Sequence, residues 1–248
     1  MNIRPPLLFL LLLATAAAPC AALTADELIA KNVEAKGGLA KIRAINTSRM
    51  SGKLQFSGDV GVQMSFSMTV TRSGKVRQES TLQGMTQIQA WDGHEGWQIS
   101  PFGGRKDPEK LSADDCKGLT EDADIDGPLV DYRAKGNTVE YLGTEDVDGT
   151  QAHKLKVTLK NGDLKYLYLD PDYFLEIRVT TRRVIRGTEQ DVETDLGNYE
   201  EIAGVYVPFS IESGAKGEPK NVKLTLDKVE VNQPVDDAIF VFPTTPAR

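Results

Sequence analysis

The chain has 248 residues, of which 40% are hydrophobic and 26% are charged, and its formal net charge is −7 at pH 7. An acidic chain without a basic tract is a poor partner for nucleic acid, because phosphate binding depends on clustered lysine and arginine. After the N-terminal segment no stretch is apolar enough to be predicted as a membrane span. The length suits one domain with a substantial core.

The first 22 residues are predicted to be a secretory signal peptide. Arg4 supplies the positive start, Leu7–Leu13 is an unbroken apolar run, and residues 14–22 are mostly small, as signal peptidase requires. The apolar run is too short for a stable membrane helix, which needs roughly 20 residues. Cleavage after Ala22 predicts an exported, periplasmic chain over residues 23–248.

The two cysteines raise separate questions. Cys20 lies in the predicted signal peptide and leaves lipid attachment open, although Pro19 before it is a poor context for that modification. Cleavage would leave Cys116 alone, so that no disulfide within the chain is possible. We expect this thiol to be buried or incidental.

Two short helices are predicted at the start of the exported chain. Residues 24–27 have the sequence Thr-Ala-Asp-Glu, a capping box that marks a helix N-terminus. The helix presents an apolar face around Leu28 and should end at Gly37-Gly38. A second short helix is predicted over residues 39–45.

Beyond residue 46 the hydrophobic period changes from helical to alternating, which predicts β-strands. The alternating apolar sets are Met64, Phe66, Met68 and Val70; Leu155, Val157 and Leu159; Leu175, Ile177 and Val179; and Val222, Leu224 and Leu226. Turn chemistry separates the strands at Arg72-Ser73-Gly74, Asp92-Gly93, Asp148-Gly149 and Asn161-Gly162. This regular alternation of strands and turns is typical of an antiparallel meander.

One segment, which we call the lid, interrupts this rhythm at about residues 107–135. It is acidic, lacks alternation and carries apolar residues at irregular helical spacings, which predicts one or two short helices between two runs of strands. The predicted fold class is therefore mainly β (α+β). It is a curled antiparallel sheet forming an incomplete barrel, with an N-terminal helix and a short helical lid, in a single domain over residues 23–248.

The predicted sheet has more apolar surface than the helices can cover. About ten strands at ~4.8 Å spacing make a flat sheet ~45 Å wide, whereas two or three helices, each ~10 Å across, cover ~30 Å. The sheet should therefore curl around the helices, and such barrels often hold one small ligand in an apolar hollow. Side chains filling the interior would satisfy the same geometry, which does not decide between the two outcomes.

The apolar residues predicted to face inward are the candidates for binding an acyl chain. Methionine favours this interpretation, because its flexible side chain adapts to irregular partners. Core packing is the better explanation for any single Met or Trp, so the hypothesis rests on the set. The candidate lipid-binding residues are Met64, Phe66, Met68, Val70, Met85, Trp91, Trp97, Leu155, Val157, Leu159, Leu175, Ile177 and Leu224.

Several motifs along the chain carry a family resemblance. They are the opening helix, Val70-Thr71-Arg72, Trp91-Asp92-Gly93 leading to Trp97 and Pro101, and Val235-Asp236-Asp237 leading to Phe240 and Pro243. With them the chain resembles the LolA/LolB-type periplasmic lipoprotein carriers, and more closely the broad group of outer-membrane lipoprotein-sorting proteins. The likeness is diffuse and runs from Thr24 to Pro243.

The resemblance implies a half-barrel that binds lipoprotein acyl chains and carries them from the inner to the outer membrane. Envelope proteins at both membranes would load and unload it, and it would act as a monomer. Arg72 matches an arginine of these carriers that hydrogen-bonds the lid backbone and holds the closed state. A guanidinium has several donors for helix-end carbonyls; the alternative for Arg72 is a surface arginine beside a turn.

Two features depart from the family pattern and leave the cargo open. Residues Tyr199–Gly214 predict an additional hairpin, and the lid is more acidic than a simple apolar flap. Triacylated lipoproteins, another lipid or another apolar molecule remain possible cargoes. Which proteins load and receive it is equally open.

No catalytic constellation is recognisable, so we expect neither an enzyme nor a cofactor. His94 and His153 do not lie in a metal-binding spacing, and neither a Gly-x-Ser-x-Gly motif nor a glycine-rich phosphate loop is present. Residues 122–127, Asp-Ala-Asp-Ile-Asp-Gly, match the first half of a calcium loop. Arg133 stands where a bidentate carboxylate belongs, so a solvated acidic loop is the preferred interpretation, and calcium binding by residues 121–127 stays open.

The sequence therefore predicts a periplasmic lipid- or lipoprotein-binding carrier that shelters acyl chains in an apolar cavity. The alternative is an envelope interaction protein with a filled core. Such a protein would dock a partner through its sheet edge or lid and bind no small ligand.

Overall fold

The computed structural model describes residues 23–58 and 61–243. The predicted signal peptide, its cleavage point and Cys20 lie outside the described residues. In the described part of the chain, no helix combines the length and the apolar character that a membrane crossing requires.

The described residues contain three α-helices: α1 (Ala25–Ala35), α2 (Leu39–Ala44) and α3 (Lys117–Asp122). The predicted capping box is confirmed at the start of α1. The Thr24 hydroxyl accepts a hydrogen bond from the Glu27 amide at 3.2 Å, and the Glu27 carboxylate accepts one from the Thr24 amide at 2.7 Å. The predicted end of the helix is confirmed as well, because Gly37 and Gly38 adopt positive φ angles of 115° and 91°.

The described strands form one antiparallel sheet. Their bounds are β1 (Thr47–Phe56), β2 (Val62–Thr71), β3 (Lys75–Leu82), β4 (Met85–Trp91), β5 (Gly96–Ser100), β6 (Arg105–Lys110), β7 (Thr138–Val147), β8 (Thr150–Thr158), β9 (Leu164–Leu169), β10 (Glu176–Ile185), β11 (Thr188–Ile202), β12 (Val205–Ala215) and β13 (Val222–Val231). The order across the sheet is β6-β5-β4-β3-β2-β1-β13-β12-β11-β10-β9-β8-β7. Since β6 and β7 are free edges, the barrel is incomplete, as predicted, although it has more strands than expected.

The helices cover two parts of one face of the sheet, which we call the concave face. Beneath α1 lies a buried cluster made of Leu28, Ile29, Leu129, Leu155, Val157, Leu167 and Leu169. Beneath α3 lies a smaller cluster made of Val70, Val76, Leu119 and Ala123, with Trp91 packed against it. Between these two clusters, part of the concave face is covered by neither α1 nor α3.

The lid differs in detail from its prediction. Its first residues belong to the edge strand β6, where Pro108 is tolerated because an edge strand need not donate every backbone N–H to a neighbour. Of the one or two helices predicted, one forms, α3, and turns connect it to β7. The lid therefore has little regular structure of its own, and contacts with the sheet must hold it in place.

The additional hairpin predicted over Tyr199–Gly214 is confirmed as the end of a longer hairpin formed by β11 and β12. Its tip packs against the end of α1, where the Tyr206 amide donates a hydrogen bond to the Lys36 carbonyl at 3.0 Å. The two backbones approach so closely that a Cβ atom on Gly37 would lie 1.9 Å from the Gly204 carbonyl oxygen. Glycine is thus required there by space as well as by its φ angle.

A bulge in β10 reverses the predicted alternation. Glu176 pairs with Leu169 and Arg178 pairs with Tyr168, so that the strand contains one extra residue, Ile177, between them. Glu176 consequently lies on the concave face, and Ile177 packs on the opposite, convex face beside Tyr168. The prediction that Ile177 faces inward is therefore wrong, because a one-residue insertion turns the side chains before it to the other face.

The two tryptophans also lie on opposite faces. Trp91 pairs with Gly96, whereas Trp97 pairs with Ala90 on the convex face. The C-terminal segment covers Trp97 there, and the Trp97 indole N–H donates to the Phe240 carbonyl at 2.7 Å. Trp97 was predicted to face inward, and this is wrong because the turn between β4 and β5 sets a register that places it on the convex side.

Candidate functional site

A cavity of 420 Å³ lies between the lid and the concave face of the sheet. Its apolar lining comprises Ile42, Ile45, Met50, Met68, Val70, Ile125, Pro128, Leu167, Val179, Leu196, Val205, Val207, Pro208, Val229 and Val231. Strands as far apart in the sheet order as β2 and β9 contribute to this lining, so the sheet curls around the cavity. The volume falls within the ~300–1,000 Å³ typical of small-molecule sites. Side chains therefore do not fill the interior.

Arg72, in the turn between β2 and β3, joins three structures at the edge of the cavity. Its guanidinium donates to the carbonyl oxygens of Ile42 and Ile45 at 2.8 and 2.7 Å, at the C-terminal end of α2. It also donates to both carboxylate oxygens of Asp126 in the lid, at 2.7 and 3.0 Å. Arg72 therefore binds helix-end carbonyls, as predicted. Its contact with the lid is made through the Asp126 side chain, whereas the resemblance implied a contact with the lid backbone.

The acidity of the lid is explained by ion pairs. The ion pairs include Asp115 with Arg186 at 2.8 Å, Glu121 with Lys165 at 2.6 Å and with Arg183 at 3.0 Å, Asp124 with Lys135 at 2.6 Å, and Asp126 with Arg72 at 2.7 Å. Of these five, all but the pair with Lys135 join the lid to residues of the sheet or its turns. The lid is therefore fastened to the barrel electrostatically at several points.

Polar groups interrupt the apolar lining in two places. On one side the Glu176 carboxylate pairs with Lys36, and the Tyr199 hydroxyl donates to the Glu176 carbonyl at 2.7 Å. Burial raises the pKa of Tyr199 far above neutral pH, so its phenol stays protonated. On the other side Asp122 opens to the hollow and accepts a hydrogen bond from Gln78 at 2.6 Å. The side chain is exposed to the hollow, and partial desolvation by the surrounding protein raises the pKa of this carboxyl.

The predicted lipid-binding residues occupy different positions. Met68 and Val70 line the cavity. Leu155, Val157, Leu159 and Trp91 pack under the helices. Met64, Phe66 and Leu224 share the concave face farther along the strands, where Leu54 pairs with both Met64 and Leu224. Met85 is exposed, Leu175 precedes β10, and Ile177 and Trp97 are on the convex face. The concave face is thus less uniformly apolar than the alternating pattern predicted.

Several lining residues were missed by sequence reasoning. Leu167 lies in Leu-Lys-Tyr-Leu-Tyr-Leu, where apolar tyrosines on the convex face conceal the alternation. Met50 and Val229 face each other across β1 and β13. Glu176 could not have been found from the pattern, because the bulge that turns it inward has no local signal.

The acidic loop, His153 and Cys116, which were weighed for chemistry, have separate surroundings in the structure. The carboxylates of residues 122–127 bond to Gln78, Lys135 and Arg72 separately, and no cluster of metal-ligating side chains occurs in the part of the chain that the structure describes. His153 packs beneath α1 against Phe174, and burial lowers its pKa. Burial raises the pKa of the Cys116 thiol, which disfavours the reactive thiolate.

An open antiparallel sheet that curls around a cavity and is closed by a short helical segment defines an incomplete-barrel fold with an internal cavity. Solved structures with this fold include a LolA superfamily protein from Nitrosomonas europaea, at a TM-score of 0.60 and 14% identity, with 89% of this chain and 98% of that chain covered. A domain from Vibrio parahaemolyticus assigned to outer-membrane lipoprotein sorting gives a TM-score of 0.58 at 12% identity, with coverages of 86% and 94%.

A DUF1329 family protein from Desulfovibrio piger is similar at a TM-score of 0.51 and 14% identity, over 87% of this chain and 96% of that one. No protein-family profile matches the sequence, and no curated protein matches it. The chain therefore has a LolA-like fold.

Proposed function

We propose that this protein is a non-catalytic periplasmic carrier, which shelters the acyl chains of a lipid or lipoprotein and transfers them towards the outer membrane. The observation that supports the proposal most strongly is the unfilled apolar cavity of 420 Å³ under an ion-paired lid. A protein that only docks partners has no need of such a hollow, since close packing of the interior would stabilise it more. The LolA-like fold agrees with the proposal.

Burial of the acyl chain supplies the affinity of the proposed carrier. Each methylene removed from water contributes about 0.8 kcal/mol. Part of this free energy opposes the Arg72–Asp126 contact, which must break for the lid to lift. Cargo would thus favour an open lid, and delivery to a receiving protein at the outer membrane would let Arg72 bind Asp126 again. The proposed carrier is a monomer and is loaded by a protein at the inner membrane.

A pair of substitutions on one strand tests the proposal. Val179 lines the cavity, whereas Val184 is exposed on the convex face of the same strand, β10. Val179→Trp should fill part of the cavity, and exclusion of about two methylenes should weaken the binding of a fluorescent fatty acid roughly fifteenfold. Val184→Trp adds the same side chain outside the cavity and should leave the affinity unchanged.

The measurement is a titration of the exported chain, residues 23–248, with a fluorescent fatty acid, together with native mass spectrometry of protein purified from membranes. The carrier is supported if lipid co-purifies with the parent protein and with Val184→Trp but not with Val179→Trp. If the parent protein binds no acyl probe and carries no lipid, or if both variants bind like the parent, the cavity is not a lipid site.

A further inference from the structure

One ion-pair cluster lies where three cavities meet. Glu121 of α3 and Lys165 of β9 line the apolar cavity and also two adjacent cavities of 310 and 590 Å³. The cavity of 590 Å³ shares Val179 with the apolar cavity and is bounded by Arg183, Thr181 and other polar side chains. An elongated molecule could therefore lie with one end in the apolar cavity and the other end at this cluster.

The cluster joins one lid carboxylate to two cations of the sheet. The Lys165 ammonium lies 2.6 Å and the Arg183 guanidinium 3.0 Å from Glu121 oxygens. The three side chains are only 18%, 19% and 11% exposed, respectively. Lys165 and Arg183 thus project from the concave face into an interior where cations are costly unless an anion accompanies them.

The contact between Glu121 and the cations is incomplete. Arg183 donates a hydrogen bond to Glu121 Oε2 at 3.1 Å, and Lys165 lies 2.6 Å from the same oxygen. The buried Oε1 has no well-aligned hydrogen bond, although an Arg183 nitrogen lies 3.0 Å away. A buried acceptor without a proper donor costs free energy that a better-fitting anion would not incur. The two cations are therefore matched imperfectly by the lid, in a position that an anion from outside could take.

We propose that Lys165 and Arg183 are the binding site for an anionic headgroup, a phosphate or a carboxylate, carried by the amphiphile whose acyl chain occupies the apolar cavity. Glu121 occupies this position in the closed protein and is displaced when the ligand binds. The inference rests on the proposed function and adds to it the chemical class of the ligand. It also gives the acidic lid a direct coupling to the cargo.

The charges that face the cluster permit an anion there once Glu121 has moved. Lys165 and Arg183 contribute +2 and Asp122 contributes −1, so the remaining sum is +1. The other nearby acids are engaged elsewhere, because Asp114 and Asp115 pair with Lys117 and Arg186. A planar guanidinium beside an ammonium suits the oxygens of a phosphate or carboxylate.

Three probes with one chain length test the proposal without any variant: dodecyl phosphate, dodecanoic acid and dodecanol, each displacing a fluorescent acyl probe from residues 23–248 at low ionic strength. We expect one or both anions to bind about tenfold more tightly than the alcohol. The ranking of the two anions distinguishes a phosphate headgroup from a carboxylate. Equal affinities of all three would overturn the headgroup site and leave the carrier standing, whereas no displacement by any of them would overturn the carrier itself.

Variants locate the preference. Arg183→Gln should abolish it, while Arg182→Gln, the adjacent residue on the convex face of β10, should preserve it. Glu121→Gln removes a lid contact and should raise the affinity for every acyl ligand, but it should raise that for the preferred anion several-fold more than that for dodecanol, because a neutral amide holds the two cations less tightly than the displaced carboxylate does. Retention of the preference in Arg183→Gln, or an equal effect of Glu121→Gln on the alcohol, would contradict the assignment.

Discussion

The contact between Arg72 and Asp126 should control how often the lid opens, and Arg72→Leu tests this. The side chains of Arg72 and Asp126 are 29% and 14% exposed. Breaking a fully buried pair costs about 3–5 kcal/mol, whereas an exposed pair contributes about 0–1 kcal/mol. For this intermediate case we expect the free energy of lid opening to fall by about 2 kcal/mol, which increases the open population roughly thirtyfold.

Hydrogen exchange under native conditions measures that population directly. The amides of Thr120 and Ala123 donate to carbonyls within the lid, so they exchange when the lid opens and unfolds locally. In Arg72→Leu these two amides should exchange about thirtyfold faster, while amides at the centre of the sheet change much less. If acyl chains bind in the open state, as proposed, the affinity for an acyl probe should rise and cargo should remain trapped on the protein.

Arg182→Leu is the matched control for this experiment. Arg182 makes a comparable two-bond contact with Asp191, at 2.7 and 2.6 Å, on the convex face, opposite to the face that carries the lid. Loss of this contact should leave the hydrogen exchange of the Thr120 and Ala123 amides unchanged. If Thr120 and Ala123 exchange equally fast in Arg72→Leu and in the parent protein, or if cargo is released as in the parent, Arg72 does not hold the lid.

Two further predictions concern stability and are measured by thermal unfolding. Gly37→Ala should lower the free energy of unfolding by about 3 kcal/mol or more, since both its φ angle and the nearby Gly204 carbonyl exclude a side chain. Gly149→Ala, at a similar φ angle but in open space, should lower it by only about 1 kcal/mol, and equal losses in the two variants would refute the close approach. Asp122→Asn should stabilise the protein at neutral pH, because the folded pKa of Asp122 is raised above its unfolded value. The gain in the free energy of unfolding should shrink as the pH falls through that raised pKa and vanish below about 3.8. A gain that does not change with pH would contradict this prediction.

Much of the architecture follows from local chemistry. The capping box at residues 24–27, the glycines that end α1 and the turn at residues 72–74 act on their immediate neighbours, so the sequence alone determines them. Alternation similarly identifies β2 and β8, because the side chains of a strand point to opposite faces with a period of two residues. The lid was recognisable because it lacks that alternation.

Which face a residue occupies was decided by strand pairing. The bulge at Ile177 turns Glu176 into the hollow, and the register between β4 and β5 separates Trp91 from Trp97. A single inserted residue or a one-residue change of register reverses every assignment beyond it. No local pattern contains that information, since pairing depends on a strand distant in the sequence.

The ion pairs of the lid were decided in the same way by the tertiary structure. Acidity in residues 107–135 is visible in the sequence, but the partners of Asp126 and Glu121 are Arg72, Lys165 and Arg183, which belong to other strands and turns. The charges of these side chains are evident from the sequence, but their proximity to Asp126 and Glu121 is not. The sequence alone therefore determines an apolar-faced sheet with an acidic insert, and only the curvature of the sheet decides that the two enclose a hollow, because curvature brings distant residues together.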